Sequence, residues 1–281
     1  MSAGLRNLGV RTLTGLLFVT VLLSCLLWSY LSFSLFFLVI AVGCLREYYR
    51  LFGSDLGHIP KIAGYMTAVT LYLLFINTDS MFRSDFGELY IAMVLMPIIV
   101  FGAALFDKSE RPVRGAVYAV GGIVYCVLPF CMLHLFPNCT GDPASGWRPF
   151  TVLAMVLLIW SNDTFAYLTG KTLGRHRMVA RISPGKTWEG TIGGLVLTFA
   201  LSYVVRDYIS DDHGDRWLLM GLLVPVIATM GDLFESLLKR NAGVKDSGSI
   251  MPGHGGFLDR FDSLLFVAPF LLAMFRLLEL H

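Results

Sequence analysis

The sequence predicts an all-α polytopic integral membrane protein of about nine transmembrane helices, with its N-terminus in the cytoplasm. Three observations predict it. Only 15% of the 281 residues are charged and 56% are hydrophobic, for a mean hydropathy of +0.68, whereas soluble domains carry about 25% charged residues. Apolar runs near the length a bilayer requires, roughly 20 residues, recur from one end of the chain to the other. Lys and Arg gather in alternate connections between those runs.

The runs lie at about residues 10–28, 33–51, 62–77, 89–106, 113–136, 150–170, 187–205, 217–238 and 261–280. Arg6 and Arg11 precede the first, and Leu22-Leu23-Ser24-Cys25 resembles a lipoprotein cleavage site. The run continues past it without a small-residue break, so it reads as an uncleaved helix. The second ends in a polar turn, Arg46 to Arg50, and the third is short. Nine crossings place seventeen of the 22 basic residues on the side of the N-terminus and five on the other. Because positive charge stays cytoplasmic in short loops, the N-terminus and the connections after the second, fourth, sixth and eighth helices are expected inside, and the C-terminus outside. Cys25, Cys44, Cys126 and Cys131 lie in apolar runs as small hydrophobes, and with Cys139 they form no CxxC pair and no zinc-type cluster. No long soluble insertion, repeat or low-complexity tail interrupts the chain. Residues 1–281 therefore read as one membrane domain, with apolar helices over 1–136 as a scaffold and helices joined by basic, cytoplasmic loops over 150–281.

Chemistry concentrates in two stretches. Residues 236–263 pack Lys239, Arg240, Lys245, Asp246, His254, Asp259, Arg260 and Asp262 among five glycines and Pro252, between two apolar runs. A loop that only solvates has no use for His-Gly-Gly or for carboxylates three apart. His254 is placed either to donate to a phosphate or to cap the loop. Asp232, Glu235, Ser236 and Lys239 share one face of the eighth helix by their offsets of three, four and seven, and Asp259 and Asp262 repeat the i, i+3 spacing. Oxygen ligands without His or Cys suit Mg²⁺.

In the second stretch, Asp163 sits inside the sixth helix, where a charge costs up to roughly 2.5–3.5 kcal/mol and so marks either function or a helix–helix salt bridge. Five basic residues follow, Lys171, Arg175, Arg177, Arg181 and Lys186, some of which only set topology. Residues 180–187, ARISPGKT, loosely match a P-loop, but a P-loop needs a strand before it and a helix after it, and here a membrane helix precedes. Lys186 still brings a cation beside free amides at a helix start, a natural phosphate site. Glu189 is within reach of Lys186, and Gly190 and Gly194 form a small-residue packing face.

The order S-x-x-K-R, four residues, K-D, then P-G-H-G-G and D-R-x-D over residues 236–262 resembles the signature of the phosphatidate cytidylyltransferases, or CDP-diglyceride synthases, with Met251 where the family usually has Leu, Ile or Phe. Asp163, Ala166-Tyr167, Gly170 and the run from Ser183 to Gly190 resemble the same family. The resemblance is specific from about residue 160 to 263, and the N-terminal half matches only as membrane helices. It implies transfer of CMP from CTP to phosphatidic acid, giving CDP-diacylglycerol and pyrophosphate, by a Mg²⁺-dependent homodimer in a bacterial inner (plasma) membrane. The active site would face the cytoplasm, a second cation is left open, and no nucleic acid is involved. The phosphatidate phosphate is already an anion, so the barrier is electrostatic rather than one of proton removal. On this resemblance Asp232, Asp259 and Asp262 bind metal, with Asp163 and Asp246 as further candidates. Lys186, Lys239, Arg240, Lys245 and Arg260 offset phosphate charge alongside His254, and Ser183, Thr187, Glu189, Gly255 and Gly256 contact substrate. A CTP-dependent polyprenol or phytol kinase is the nearest alternative enzyme, and the K-R…K-D…H-G-G…D-R-x-D order argues against it. An ion transporter would need charges near mid-bilayer in both halves, but the first five helices hold almost no acidic residue.

Overall fold

The computed structural model of the protein describes residues 3–53, 55–76, 87–136, 147, 149–209, 214–250 and 255–279. Among these, nine helical rods run in chain order: α1 (Ala3–Trp28), α2 (Tyr30–Leu51), α3 (His58–Ile76), α4 (Gly87–Ala104), α5 (Pro112–Leu135), α6 (Phe150–Leu173), α7 (Trp188–Ile209), α8 (Gly214–Asn241) and α9 (Leu258–Glu279). Five are long and apolar enough to cross a membrane: α2, α3, α5, α6 and, in α8, Trp217–Asn241. Thr12–Trp28 and Ile91–Ala104 are apolar but shorter. The protein is thus an all-α membrane protein with one small exception, described below.

A lipid-facing helix is apolar on its outer as well as its buried face. On α2, Phe33, Phe37, Ile40, Ala41 and Cys44 are buried, while Leu31, Leu35 and Val39 are exposed. Elements end where the chemistry requires it. A single residue, Ser29, separates α1 from α2: its hydroxyl accepts from the Ser32 N–H at 3.1 Å, and the Ser32 hydroxyl accepts in return from the Ser29 N–H at 3.1 Å, which satisfies two amides that a helix start leaves open. Within α5, residues Ile123–Val127 form a π turn ahead of Pro129. Proline offers no N–H to the carbonyl four residues back, and the wider turn absorbs the mismatch. Gly243, at φ +71, closes α8 in the left-handed conformation that glycine adopts without strain.

The chain gathers into two compact units. One comprises Met1–Pro149 with Val244–Arg260, the other Phe150–Gly243 with Phe261–His281. The segment 244–260 is therefore grouped with the N-terminal helices. In the first unit α2 is central, packing on α1, α3 and α5. The buried Tyr49 hydroxyl donates to the Ala119 carbonyl at 3.0 Å, and Gly122 lets α5 approach Leu45, Tyr48 and Tyr49. Tyr72 donates to the Ser34 carbonyl at 3.0 Å and lies 3.0 Å from His134 Nε2. The polar turn expected at Arg46 to Arg50 is instead continuous helix, with Glu47, Tyr48 and Tyr49 buried. Packing against α5 and the 244–260 segment outweighs the local charge.

In the second unit α7 packs on both α6 and α8. The small residues expected to pack do so: a Cβ at Gly190 would lie 2.8 Å from the Ala166 carbonyl and 3.0 Å from the Gly170 Cα, and one at Gly194 would meet Asn162 and Ala166. Removing side chains there lets two backbones approach, the usual basis of association in lipid. Between α6 and α7 the structure corrects the expectation that no strand precedes Lys186. Two short antiparallel strands, β1 (Arg177–Val179) and β2 (Ser183–Thr187), pair Arg177 with Thr187 and Val179 with Ser183. Arg177 Nη1 donates to the Pro184 carbonyl at 2.8 Å, and the Trp188 N–H to the His176 carbonyl at 2.9 Å. The pair is a lone hairpin and not a parallel sheet, so it still forms no P-loop.

Candidate active site

The second unit holds a cavity of about 340 Å³, lined among others by Asn162, Asp163, Tyr167 and Lys171 of α6, Lys186 and Thr187 of β2, Thr191 of α7, and Thr229 and Asp232 of α8. β2 delivers Lys186 here because the hairpin turns the chain back before α7 starts. The Thr187 hydroxyl accepts the Gly190 N–H at 3.1 Å and so caps α7. Lys186 forms an ion pair with Asp232. The Ser236 hydroxyl, one turn on, lies 3.4 Å from Asp232 Oδ1.

Asp232, Glu235 and Asp262 form a carboxylate cluster, with one oxygen from each within 4.8 Å of the others. α8 supplies the first two at i, i+3. Gly231 supports the third, since its missing side chain leaves room for the backbone of Asp262 and Ser263, and the Ser263 hydroxyl donates to the Ala228 carbonyl at 3.2 Å. Glu235 is 1% exposed, and Lys239 Nζ lies 2.5 Å from it. Three buried or half-buried carboxylates this close repel one another unless positive charge is present. Two lysines supply part of it. An all-oxygen donor set of this size fits a hard divalent cation.

The first unit holds a second polar centre around the 244–260 segment. Glu47 of α2, 3% exposed, accepts the Phe257 N–H on Oε1 at 3.0 Å and the Leu258 N–H on Oε2 at 2.8 Å. Ser247 Oγ lies 2.9 Å from Glu47 Oε2 and 2.9 Å from Asp259 Oδ2, so its one proton sits between two carboxylates. Asp259 Oδ2 also accepts the N–H groups of Ser247 at 3.0 Å and Gly256 at 2.8 Å. Gly255, at φ +83, has Asp259 Oδ2 where a side chain would stand.

The expected site residues fall partly in one unit and partly in the other. Lys186, Asp232, Asp262, Lys239 and Asp163 come together in the second unit. The expected third ligand, Asp259, is not in the carboxylate cluster, and Glu235 takes that place. Asp259 lies in the first turn of its helix, and its side chain reaches back to the amides ahead of it. Glu189 does not pair with Lys186 as expected. Its carboxylate accepts the N–H groups of Arg175 and His176 at 3.1 Å and contacts His176 Nδ1 at 2.5 Å, anchoring the start of the hairpin. Arg240 Nε donates to the Ile182 carbonyl at 3.4 Å, at the hairpin's turn. Ser183 stands in β2. Lys245, Asp246 and Arg260 are exposed in the first unit, where Gly256 is buried against Glu47. His254 lies outside the described residues. Glu47 was missed, because a lone Glu at the end of an apolar run has no side-chain partner nearby in sequence.

The fold and these groups define a helical membrane protein whose polar centre combines clustered carboxylates with lysines, the chemistry suited to phosphate-bearing ligands. The chain belongs to the cytidylyltransferase family, whose family model matches residues 9–278. It is 33% identical over 266 residues to a phosphatidate cytidylyltransferase of Staphylococcus epidermidis, covering 93% of this chain and 96% of that one. Its identity to the Staphylococcus aureus protein of the same name is 33% over 264 residues, and to that of Staphylococcus saprophyticus 32% over 265, with the same coverage.

Proposed function

We propose that this protein is a membrane nucleotidyltransferase that transfers CMP from CTP to phosphatidic acid, giving CDP-diacylglycerol and pyrophosphate for phospholipid synthesis. The observation that carries this reading is likeness to phosphatidate cytidylyltransferases along nearly the whole chain. A phosphatidate oxygen forms a new bond to the α-phosphorus of CTP, and the bond from that phosphorus to the bridging oxygen of the β-phosphate breaks. Both partners are anions, so the protein's task is to hold them together against repulsion.

Asp232, Glu235 and Asp262 are the residues that would hold Mg²⁺, with Asp163 as a further oxygen donor on the cavity wall. A bound Mg²⁺ supplies charge neutralisation for the triphosphate and the departing pyrophosphate. Lys186 and Lys239 place ammonium groups against the carboxylates, where they offset phosphate charge from the protein side. Thr187 and Glu189 hold Lys186 in place, one by capping α7 and the other by anchoring the hairpin. On the strength of the resemblance, Arg240, Lys245 and Arg260 add positive charge alongside His254, Asp246 is a further candidate for the metal, and Ser183, Gly255 and Gly256 are substrate contacts. That resemblance also supports a homodimer. The charge asymmetry supports nine crossings with the basic loops and the site on the cytoplasmic face, and the bacterial relatives support an inner-membrane location.

The test is purified protein with Mg²⁺, phosphatidate and CTP labelled in the α- or the γ-phosphate. The expected result is α-label in the lipid and γ-label in pyrophosphate, with neither product when phosphatidate is omitted. Transfer of γ-label to a lipid alcohol with release of CDP would replace this reading with a lipid kinase.

A further inference from the structure

Four observations meet at Glu47. It is a nearly fully buried carboxylate near the end of α2. It is more than 190 residues from the groups it binds, the N–H groups of Phe257 and Leu258 and the Ser247 hydroxyl. Its oxygens occupy the positions where side chains at Gly248 and Gly256 would stand. Through Ser247 it joins the same hydrogen-bond network as Asp259. The three donors engage both carboxylate oxygens and hold them in one place. The segment it grips carries Lys245, Asp246 and Arg260, all exposed.

We propose that Glu47 is a positioning residue for the transfer reaction: it holds Ser247 on one side, and the Phe257 and Leu258 amides on the other, so that Lys245, Asp246 and Arg260 stand ready for anionic substrate. Two glycines in that segment are required because the carboxylate of α2 fills their side-chain space. This inference rests on the proposed activity, but its structural half is independent of it. An apolar residue at 47 would leave two amides and a hydroxyl without acceptors in a dry place. Glutamine would present one oxygen and one N–H₂ group to three donors, so at least one donor must face another.

The experiment uses the full-length protein in detergent and reads two quantities, CMP transfer and amide hydrogen exchange at Phe257 and Leu258. Glu47→Gln is expected to speed exchange by about tenfold or more at whichever of the two amides faces the new N–H₂ group and to lower kcat/KM by roughly 10- to 100-fold. Tyr49→Phe, two residues on and on the other side of α2, removes a buried hydrogen bond to Ala119 and is expected to lower thermal stability while leaving exchange at these amides, and turnover of the folded protein, as in the wild type. Gly248→Ala should cost as much activity as Glu47→Gln. Glu47→Asp, which withdraws the carboxylate by one methylene, should make room for the new methyl, so the double variant loses less than the product of the two single losses. Wild-type exchange in Glu47→Gln, equal effects of Glu47→Gln and Tyr49→Phe, or strictly multiplicative losses in the double variant would each overturn the assignment. If the wild type makes no CDP-diacylglycerol, the functional reading fails while the exchange data still decide whether Glu47 holds the segment.

Discussion

Asp232 and Asp259 look alike in the sequence, and the structure gives them different work. Asp232 pairs with Lys186 and belongs to the carboxylate cluster, so Asp232→Asn is expected to lower kcat/KM by about 10²-fold or more and to raise the Mg²⁺ concentration needed for half-maximal rate. Asp259 accepts N–H groups through one oxygen, and an asparagine can still offer an oxygen there. Asp259→Asn should cost about 1–2 kcal/mol of stability and leave the Mg²⁺ dependence unchanged. Titrating Mg²⁺ against initial rate for the two variants checks both statements, and a Mg²⁺ shift in Asp259→Asn would return that residue to the metal set. The sequence displayed the cluster's chemistry without its membership. Spacing put Asp232, Glu235 and Lys239 on one face correctly, but the same rule tied Asp259 to Asp262. A first-turn side chain is free to reach back to preceding amides, and residue spacing does not encode that choice. Glu47 was illegible for a related reason, since its partners are mostly backbone N–H groups, which every residue but proline carries.

Helices were legible as elements because lipid and protein interior both demand long apolar runs, so composition alone marks α2, α3, α5, α6 and α8. The hairpin between α6 and α7 was not. Ser183 to Thr187 has no alternation of polar and apolar residues, and its pairing depends on Glu189 anchoring Arg175 and His176. The small-residue face of α7 was legible and makes a prediction. Gly190→Val would drive a branched side chain into the Ala166 carbonyl and the Gly170 backbone. Overpacking of this kind costs about 1–3 kcal/mol, and because α6 and α7 frame the cavity, activity should fall with it. Thermal unfolding in detergent should show a lowered midpoint, whereas Gly102→Ala in α4, where a Cβ meets nothing within 4 Å, should leave it unchanged.

For the whole molecule, the distribution of Lys and Arg predicts sidedness. A tag at His281 should report the extracytoplasmic face and a cysteine label between Arg175 and Arg181 the cytoplasmic face. Accessibility of both from the same side would leave an even number of crossings between that connection and the C-terminus instead of three. Charge counting reads connections one at a time, so it could not foresee that residues 244–260 belong with helices made far earlier. That arrangement imposes a schedule on synthesis. α2 leaves the ribosome with its Glu47 carboxylate already present, but Ser247, Phe257 and Leu258 follow 200 to 211 residues later. At about 5–20 residues per second, the interval is roughly 10–40 s. During that time the nascent N-terminal helices carry an acid without its partners, and a chain truncated before residue 247 never acquires them.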